Sequence, residues 1–280
     1  MVCPAGTEDR FENAALGLSA NIWDNRSLPV TARNEAPVIC HIFRKFRGPQ
    51  AMVCPTVLVL AAVVLAAAPA SAPTFDGESL HYNINWPSGL SLGEAQLSGT
   101  REKSAESYDF QFSLDAGIPG FAVADKYRSA ASKDFCSIEF DKNVSHGSKK
   151  GDEKTTFDSE KGTATRETKD GGKSDVTTSA CAKDALDFLY YVRRELAQGR
   201  IPPRQQVYFG SPYEVRLEFA GTQMIKVGEK SVEADRLNGS LKGPQSDASF
   251  EIYFLKDAAR TPALVRVPLA VGTLSMELMK

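Results

Sequence analysis

Residues 78 to 86 read Glu-Ser-Leu-His-Tyr-Asn-Ile-Asn-Trp, and residues 107 to 114 read Ser-Tyr-Asp-Phe-Gln-Phe-Ser-Leu. In the first run Leu80, Tyr82, Ile84 and Trp86 fall on one face and His81, Asn83 and Asn85 on the other. In the second, Tyr108, Phe110, Phe112 and Leu114 alternate with Asp109, Gln111 and Ser113. A period of two over seven or more residues is the signature of a strand with one face buried and one in water. Such strands pair antiparallel.

The pattern continues outward to the end of the chain. Val215, Leu217 and Phe219 alternate with Glu214, Arg216 and Glu218, and Phe250, Ile252 and Phe254, then Val265 and Val267, then Leu274, Met276 and Leu278 follow. Turn signals separate the runs at Pro87-Ser88-Gly89, Lys169-Asp170-Gly171-Gly172, Gly210-Ser211-Pro212, Gly221, Gly228 and Gly272. Short strands joined by hairpins predict an all-β fold: a curved antiparallel sheet or half-open β-barrel. The segment Gly117-Ile118-Pro119-Gly120-Phe121 reads as a loop, with a short lid as the alternative.

One segment changes period. From Asp184 to Gln198 the residues Leu186, Leu189, Tyr190, Arg193 and Leu196 form a helical stripe, Asp184 can cap the start, and Gly199 with Pro202-Pro203 stops it. A lone amphipathic helix must bury its stripe, and the concave face of the sheet is the available apolar surface.

Upstream the chain has a different character. Residues 57 to 68 (Val-Leu-Val-Leu-Ala-Ala-Val-Val-Leu-Ala-Ala-Ala) are too short to cross ~30 Å of hydrocarbon but match the apolar core of an export signal. Small residues at 68, 70 and 72 offer cleavage after Ala70 or Ala72, and Pro73 argues for the former. Residues 52–72 are therefore expected to be a signal peptide, which leaves no membrane span after cleavage. The product would be periplasmic or secreted. Residues 1–51 lack periodicity and are expected to be a disordered or wrongly assigned extension. Residues 73–280 then form a single β-rich domain.

A net charge of -2 and pI near 6.0 exclude an electrostatic footprint for nucleic acid. Cys3, Cys40 and Cys54 lie upstream of the predicted domain, and Cys136 and Cys181 remain as an even pair in an oxidising compartment. A disulfide is the expected state; two reduced cysteines or half of a metal site are the alternatives. The metal reading is weak, because His81 and His146 stand at no ligand spacing from either cysteine, and no metal or other cofactor is expected. Both histidines read as solvated, His81 on a polar strand face and His146 in a loop beside Gly147.

No nucleophile elbow, phosphate-binding loop or His-Glu-x-x-His motif occurs. Asp134, Glu139 and Asp141 would be the material for a paired-carboxylate glycosidase, but acids on the polar phase of strands are ordinarily solvated. Asp125 with Arg128, and Asp257 with Arg260, lie beside turns. They read as local ion pairs or, alternatively, as polar contacts to a ligand.

The order of motifs resembles one family. Gly77-Glu78-Ser79-Leu80-His81-Tyr82 with Gly93-Glu94-Ala95, Gly120-Phe121-Ala122 with Asp125-Lys126-Tyr127-Arg128, and Asp184-Ala185-Leu186 with Tyr190-Tyr191-Val192-Arg193 are similar to segments of the bacterial exported proteins of the domain of unknown function 3108 family. The endings Asp257-Ala258-Ala259-Arg260-Thr261-Pro262 and Gly272-Thr273-Leu274-Ser275-Met276-Glu277-Leu278 are similar too. The resemblance implies an envelope protein with a curved sheet like that of periplasmic lipoprotein carriers, and implies no activity. The Cys136/Cys181 pair departs from the family pattern.

The expected function is thus a non-enzymatic binding or carrier protein for a lipid-like ligand, with an envelope protein that binds a protein or glycan partner as the alternative. Phe110, Phe112, Leu189, Tyr190, Phe250 and Phe254 are the expected apolar contacts. The partners are a hydrophobic small molecule or an envelope component; the sequence carries no signal for oligomeric state.

Overall fold

The computed structural model describes residues 73–280 apart from 103, 105, 119, 245–246, 270–271 and 280. The predicted signal peptide, the extension before it and the three upstream cysteines lie outside the described residues. Among the described residues fifteen strands form one sheet. The first half is a meander of β1 (Glu78–Asn85), β2 (Ser91–Glu102), β3 (Ser107–Ile118), β4 (Phe121–Ser132), β5 (Ser137–His146), β6 (Lys149–Asp158), β7 (Thr163–Thr168) and β8 (Lys173–Thr177). A two-residue strand β9 (Lys183–Asp184) leads into the helix α1 (Ala185–Ala197). The second half is β10 (Gln205–Tyr208), β11 (Pro212–Val227), β12 (Lys230–Lys242), β13 (Asp247–Leu255), β14 (Pro262–Leu269) and β15 (Gly272–Leu278). The two meanders join where β1 pairs antiparallel with β15, and β8 and β9 are the sheet's two ends.

The buried phase is the one the alternation predicts. Tyr82, Ile84, Leu97 and Phe110 are buried, and His81 and Gln111 on the other phase are exposed. The sheet curves so that the two meanders touch again near its ends. The Tyr208 hydroxyl donates to the Thr177 carbonyl at the end of β8 (3.1 Å), and the Ser137 N–H donates to the Ala182 carbonyl (2.9 Å). Beside that bond the Cys136–Cys181 disulfide ties the start of β5 to the segment entering β9.

Helix α1 carries the cap its sequence promised. Asp184 Oδ1 accepts the N–H groups of Leu186 and Asp187, both at 2.9 Å, and Gly199 takes φ 73° just past the C-terminus. Its apolar surface serves two clusters. Leu186 and Tyr190 pack with Phe75, Leu97, Phe110 and Phe140, while Phe188, Val192 and Leu196 pack with the inner face of β11 to β13. Tyr190 lies flat on Phe110, ring centroids 3.7 Å apart, in space that Gly99 provides: a Cβ there would meet the Phe75 carbonyl at 2.8 Å. The helix is held at mid-length by Arg193, which is fully buried. Its guanidinium forks onto the Glu78 carboxylate of β1 (Nη1–Oε2 2.6 Å), donates to the Ala259 carbonyl (3.1 Å) and stacks over Phe75 and Tyr190.

Two local expectations are corrected. Residues 117 to 121 form no lid, because β3 runs to Ile118 and β4 begins at Phe121 in a tight hairpin. Gly221 marks no turn: it falls inside β11, at a register shift between Phe219 and Thr222 where two residues oppose one.

Candidate functional site

A cavity of about 330 Å³ lies between the N-terminal end of α1 and the inner face of the sheet. Its walls follow from register. Leu114 and Phe112 of β3 stand opposite Asp125 and Tyr127 of β4, and on the far side Ile84, Met276 and Val265 align across β1, β15 and β14. Leu186 of α1 and Phe209, which follows β10, complete the enclosure. The strand that joins the two walls presents Gly93 and Ala95 at these levels, paired with Ile84 and Tyr82, and these side chains are too small to fill the space between them. Gly93 has a second reason to be glycine: its φ is 154°, and a Cβ would lie 2.1 Å from the Asp115 carbonyl oxygen.

The wall carries a carboxylate. Asp125 is 1% exposed; its Oδ2 accepts the Tyr127 hydroxyl (2.8 Å) and its Oδ1 lies 2.8 Å from His146 Nε2. This corrects two readings of the sequence. Asp125 is no local partner of Arg128, because residues 125 and 128 project to opposite faces of β4; Arg128 meets Asp109, Glu139 and Asp141 on the outer face. His146 is the last residue of β5 and bonded, instead of a solvated loop histidine. The outer-face acids Glu139 and Asp141 sit around Arg128, and Asp134 lies outside that group.

Next to the cavity a charged row runs across the inner face. Tyr127 pairs with Lys142, and Lys142 with Glu153. Burial pushes the Lys142 ammonium below its usual range against the opposing pull of Glu153, and the ammonium rests over the Phe209 ring at 4.8 Å. Burial would push Glu153 up, but the two hydrogen bonds from Arg166 (2.6 and 2.9 Å) and the Lys142 charge outweigh it and hold the carboxyl low. Beneath the helix start, Asp184 and Asp187 are both fully buried and share the Ser137 hydroxyl at 2.7 and 3.1 Å, with Ser129 donating to Asp184 at 2.6 Å. Burial raises both carboxyls, and the Asp184 charge drives Asp187 further, well above the usual carboxylate range. Lys183 donates to the Phe135 carbonyl and lies over Tyr191, its ammonium lowered by burial.

Of the six expected apolar contacts only Phe112 lines the cavity. Phe110 and Tyr190 are spent on each other, Leu189 packs at the border of the two clusters, and Phe250 and Phe254 belong to the cluster beneath the C-terminal half of α1. Among the expected polar contacts Asp125 does line it. Asp257 instead bonds Thr261 (2.6 and 2.9 Å), and Arg260 pairs with Asp235 at 2.9 Å instead of with Asp257. Tyr127, Phe209 and Leu186 were missed; Tyr127 stands at a strand position whose partners only the register reveals, and Phe209 lies in the turn between β10 and β11. Among the described residues no group of three or more His, Cys, Asp or Glu could hold a metal ion, and no helix is long and apolar enough to cross a membrane.

A curved, barrel-like sheet, antiparallel except where β9 runs parallel to β10, packed on α1 with an apolar recess beside the helix, defines the structural class. The chain belongs to the family described as "Protein of unknown function (DUF3108)", which matches residues 79–279. Comparison with curated proteins gives no significant match. Among solved structures the chain is similar to a β-barrel-like protein of the DUF1849 family from Brucella abortus, at 8% identity and a TM-score of 0.52, covering 72% of this chain and 95% of that one. A protein from Parabacteroides distasonis described as "a putative lipoprotein" aligns at 7% identity over 74% of this chain and 96% of that one, with a TM-score of 0.30. The first likeness is one of fold.

Proposed function

We propose that the protein is an exported, non-enzymatic binding protein that carries a lipid-like molecule in the recess beside α1. The supporting observation is the cavity of about 330 Å³ with its apolar lining, at the lower end of the ~300–1,000 Å³ typical of small-molecule sites. Export rests on the signal-like stretch at 52–72, and the carrier reading on a recess whose walls, Phe112, Leu114, Val267, Leu274 and Met276, are only half-buried. Native mass spectrometry and lipid extraction of protein purified from the periplasm test both points. A co-purifying amphiphile and an N-terminus at Ser71 or Pro73 are expected. Replacing Leu114 by Trp should fill the recess and abolish saturable uptake of a neutral dye such as Nile red while the fold is kept. No saturable uptake by the parent protein would remove the carrier.

The second reading, an interaction protein of the envelope, draws on a different observation. β10 pairs only with the first four residues of β11, and the longer remainder of β11 carries the exposed side chains Phe219 and Met224. A strand with one unpaired edge is where a partner's strand could add.

A further inference from the structure

The apolar walls alone would accept any hydrocarbon, but the polar wall has a sign. Among the described residues Asp125 is the one charged residue that borders the recess. Its carboxylate is held by Tyr127 and His146, and neither contact makes the wall positive: Tyr127 supplies a neutral hydroxyl, and a protonated His146 would only balance the Asp125 charge. On the same face Lys142, across from Tyr127, is drawn to Glu153 and to Asp125, and Arg166 also holds Glu153. A ligand head placed at this wall therefore meets the Asp125 carboxylate, while His146 and Lys142 stand outside the lining.

Resting on the carrier reading above, we infer that the recess selects amphiphiles whose head is a hydrogen-bond donor, a hydroxyl or an ammonium, and rejects free carboxylates. A hydroxyl head donates to the carboxylate oxygens, and an ammonium head does so with charge assistance. An ionised fatty-acid head would be buried against a like charge, which is the means by which buried sites exclude wrong partners. The chain of the ligand lies between Leu114 and Met276, with its far end toward Val267 and Leu274.

Titration calorimetry at pH 8, below the micellar concentration, of the mature protein with dodecan-1-ol, dodecylamine and dodecanoate tests this. The alcohol and the amine should bind at least about tenfold more tightly than the carboxylate, a difference of ~1.4 kcal/mol or more. Asp125→Asn retains the size of the side chain and removes its charge, and should bring the carboxylate level with the alcohol. If that variant fails to fold by circular dichroism, the three ligands on the parent protein decide the matter alone. Equal affinity for all three, or preference for dodecanoate, overturns the head-group selectivity while leaving the carrier standing. Saturable binding of none of them overturns the carrier reading and the selectivity with it.

Discussion

Opening the Cys136–Cys181 bond should loosen the closure of the sheet without unfolding it. The cysteines are 45 residues apart in sequence, and in the chain-entropy description a loop of that length restricts the unfolded ensemble by about 4 kcal/mol. Roughly 200 ordered residues unfold with an entropy of about 0.4 kcal/mol per kelvin, so the same free energy corresponds to a fall in Tm of about 10 °C. The native contacts flanking the bond survive its loss: Ser137 still donates its N–H to the Ala182 carbonyl, and Ser137 and Ser129 still hold Asp184. The reduced protein should therefore remain folded at 25 °C with its α1 cap intact. The assay is calorimetric or circular-dichroism melting of the oxidised protein, the reduced protein and Cys136→Ser/Cys181→Ser, alongside thiol labelling under denaturing conditions. Two free thiols in the unreduced protein would refute the bond. A Tm fall below about 2 °C would refute the idea that the bond closes an otherwise free 45-residue loop, because it would mean that the unfolded chain keeps the two segments together anyway.

Two further outcomes follow from buried charge. Glu78→Gln should cost about 3–5 kcal/mol in urea unfolding, since it leaves the fully buried Arg193 unpaired, Arg193→Met should cost less because Glu78 is only half-buried, and the double variant should cost well under their sum; additive single effects below ~1 kcal/mol would show that the pair does not pin α1. Asp187 is raised by burial above its ordinary value of 3.8, so the folded state holds its proton more tightly than the unfolded one. Its contribution to stability is complete below that ordinary value and is lost as pH rises through the folded value. Asp187→Asn should therefore equal the parent below about pH 4 and exceed it increasingly toward neutral pH, read as the difference between two pH-stability curves.

Much of the architecture was legible because a half-buried strand and an amphipathic helix each write a period into the chain. The face carrying Tyr82, Ile84, Phe110 and Phe112, the cap at Asp184 and the stop at Gly199 are local facts, decided within a few residues of themselves. The recess was not legible for the opposite reason. It exists where Gly93 and Ala95 leave space between Ile84 and Leu114, and those four come from three strands whose alignment is set by hairpin lengths and by the shift at Ile84 and Asn85. Aromatic residues were the natural candidates for a binding surface, yet rings large enough to line a pocket are also large enough to fill one. Phe110 and Tyr190 do the second.

The residues that most inform function are those that break the period. A strictly alternating sheet would put no charge on the inner face, and here Asp125, Lys142, Glu153 and Arg166 stand there, with Asp184, Asp187 and Arg193 at the helix. Each such exception raises desolvation against folding, and each is compensated differently. Arg193 with Glu78, and Arg166 with Glu153, are closed pairs whose partners satisfy them within the fold. Asp184 is satisfied as a helix cap, whereas Asp187 takes one bond from the Ser137 hydroxyl and its Oδ1 is buried with no hydrogen-bond partner. Asp125 differs in its position: its hydroxyl and imidazole partners hold it at the wall of a space large enough for a guest. An apolar residue at 125 would leave the Tyr127 hydroxyl and the His146 imidazole without this partner, so the fold itself has a use for the charge, and the three-ligand titration decides whether the same carboxylate also chooses what enters.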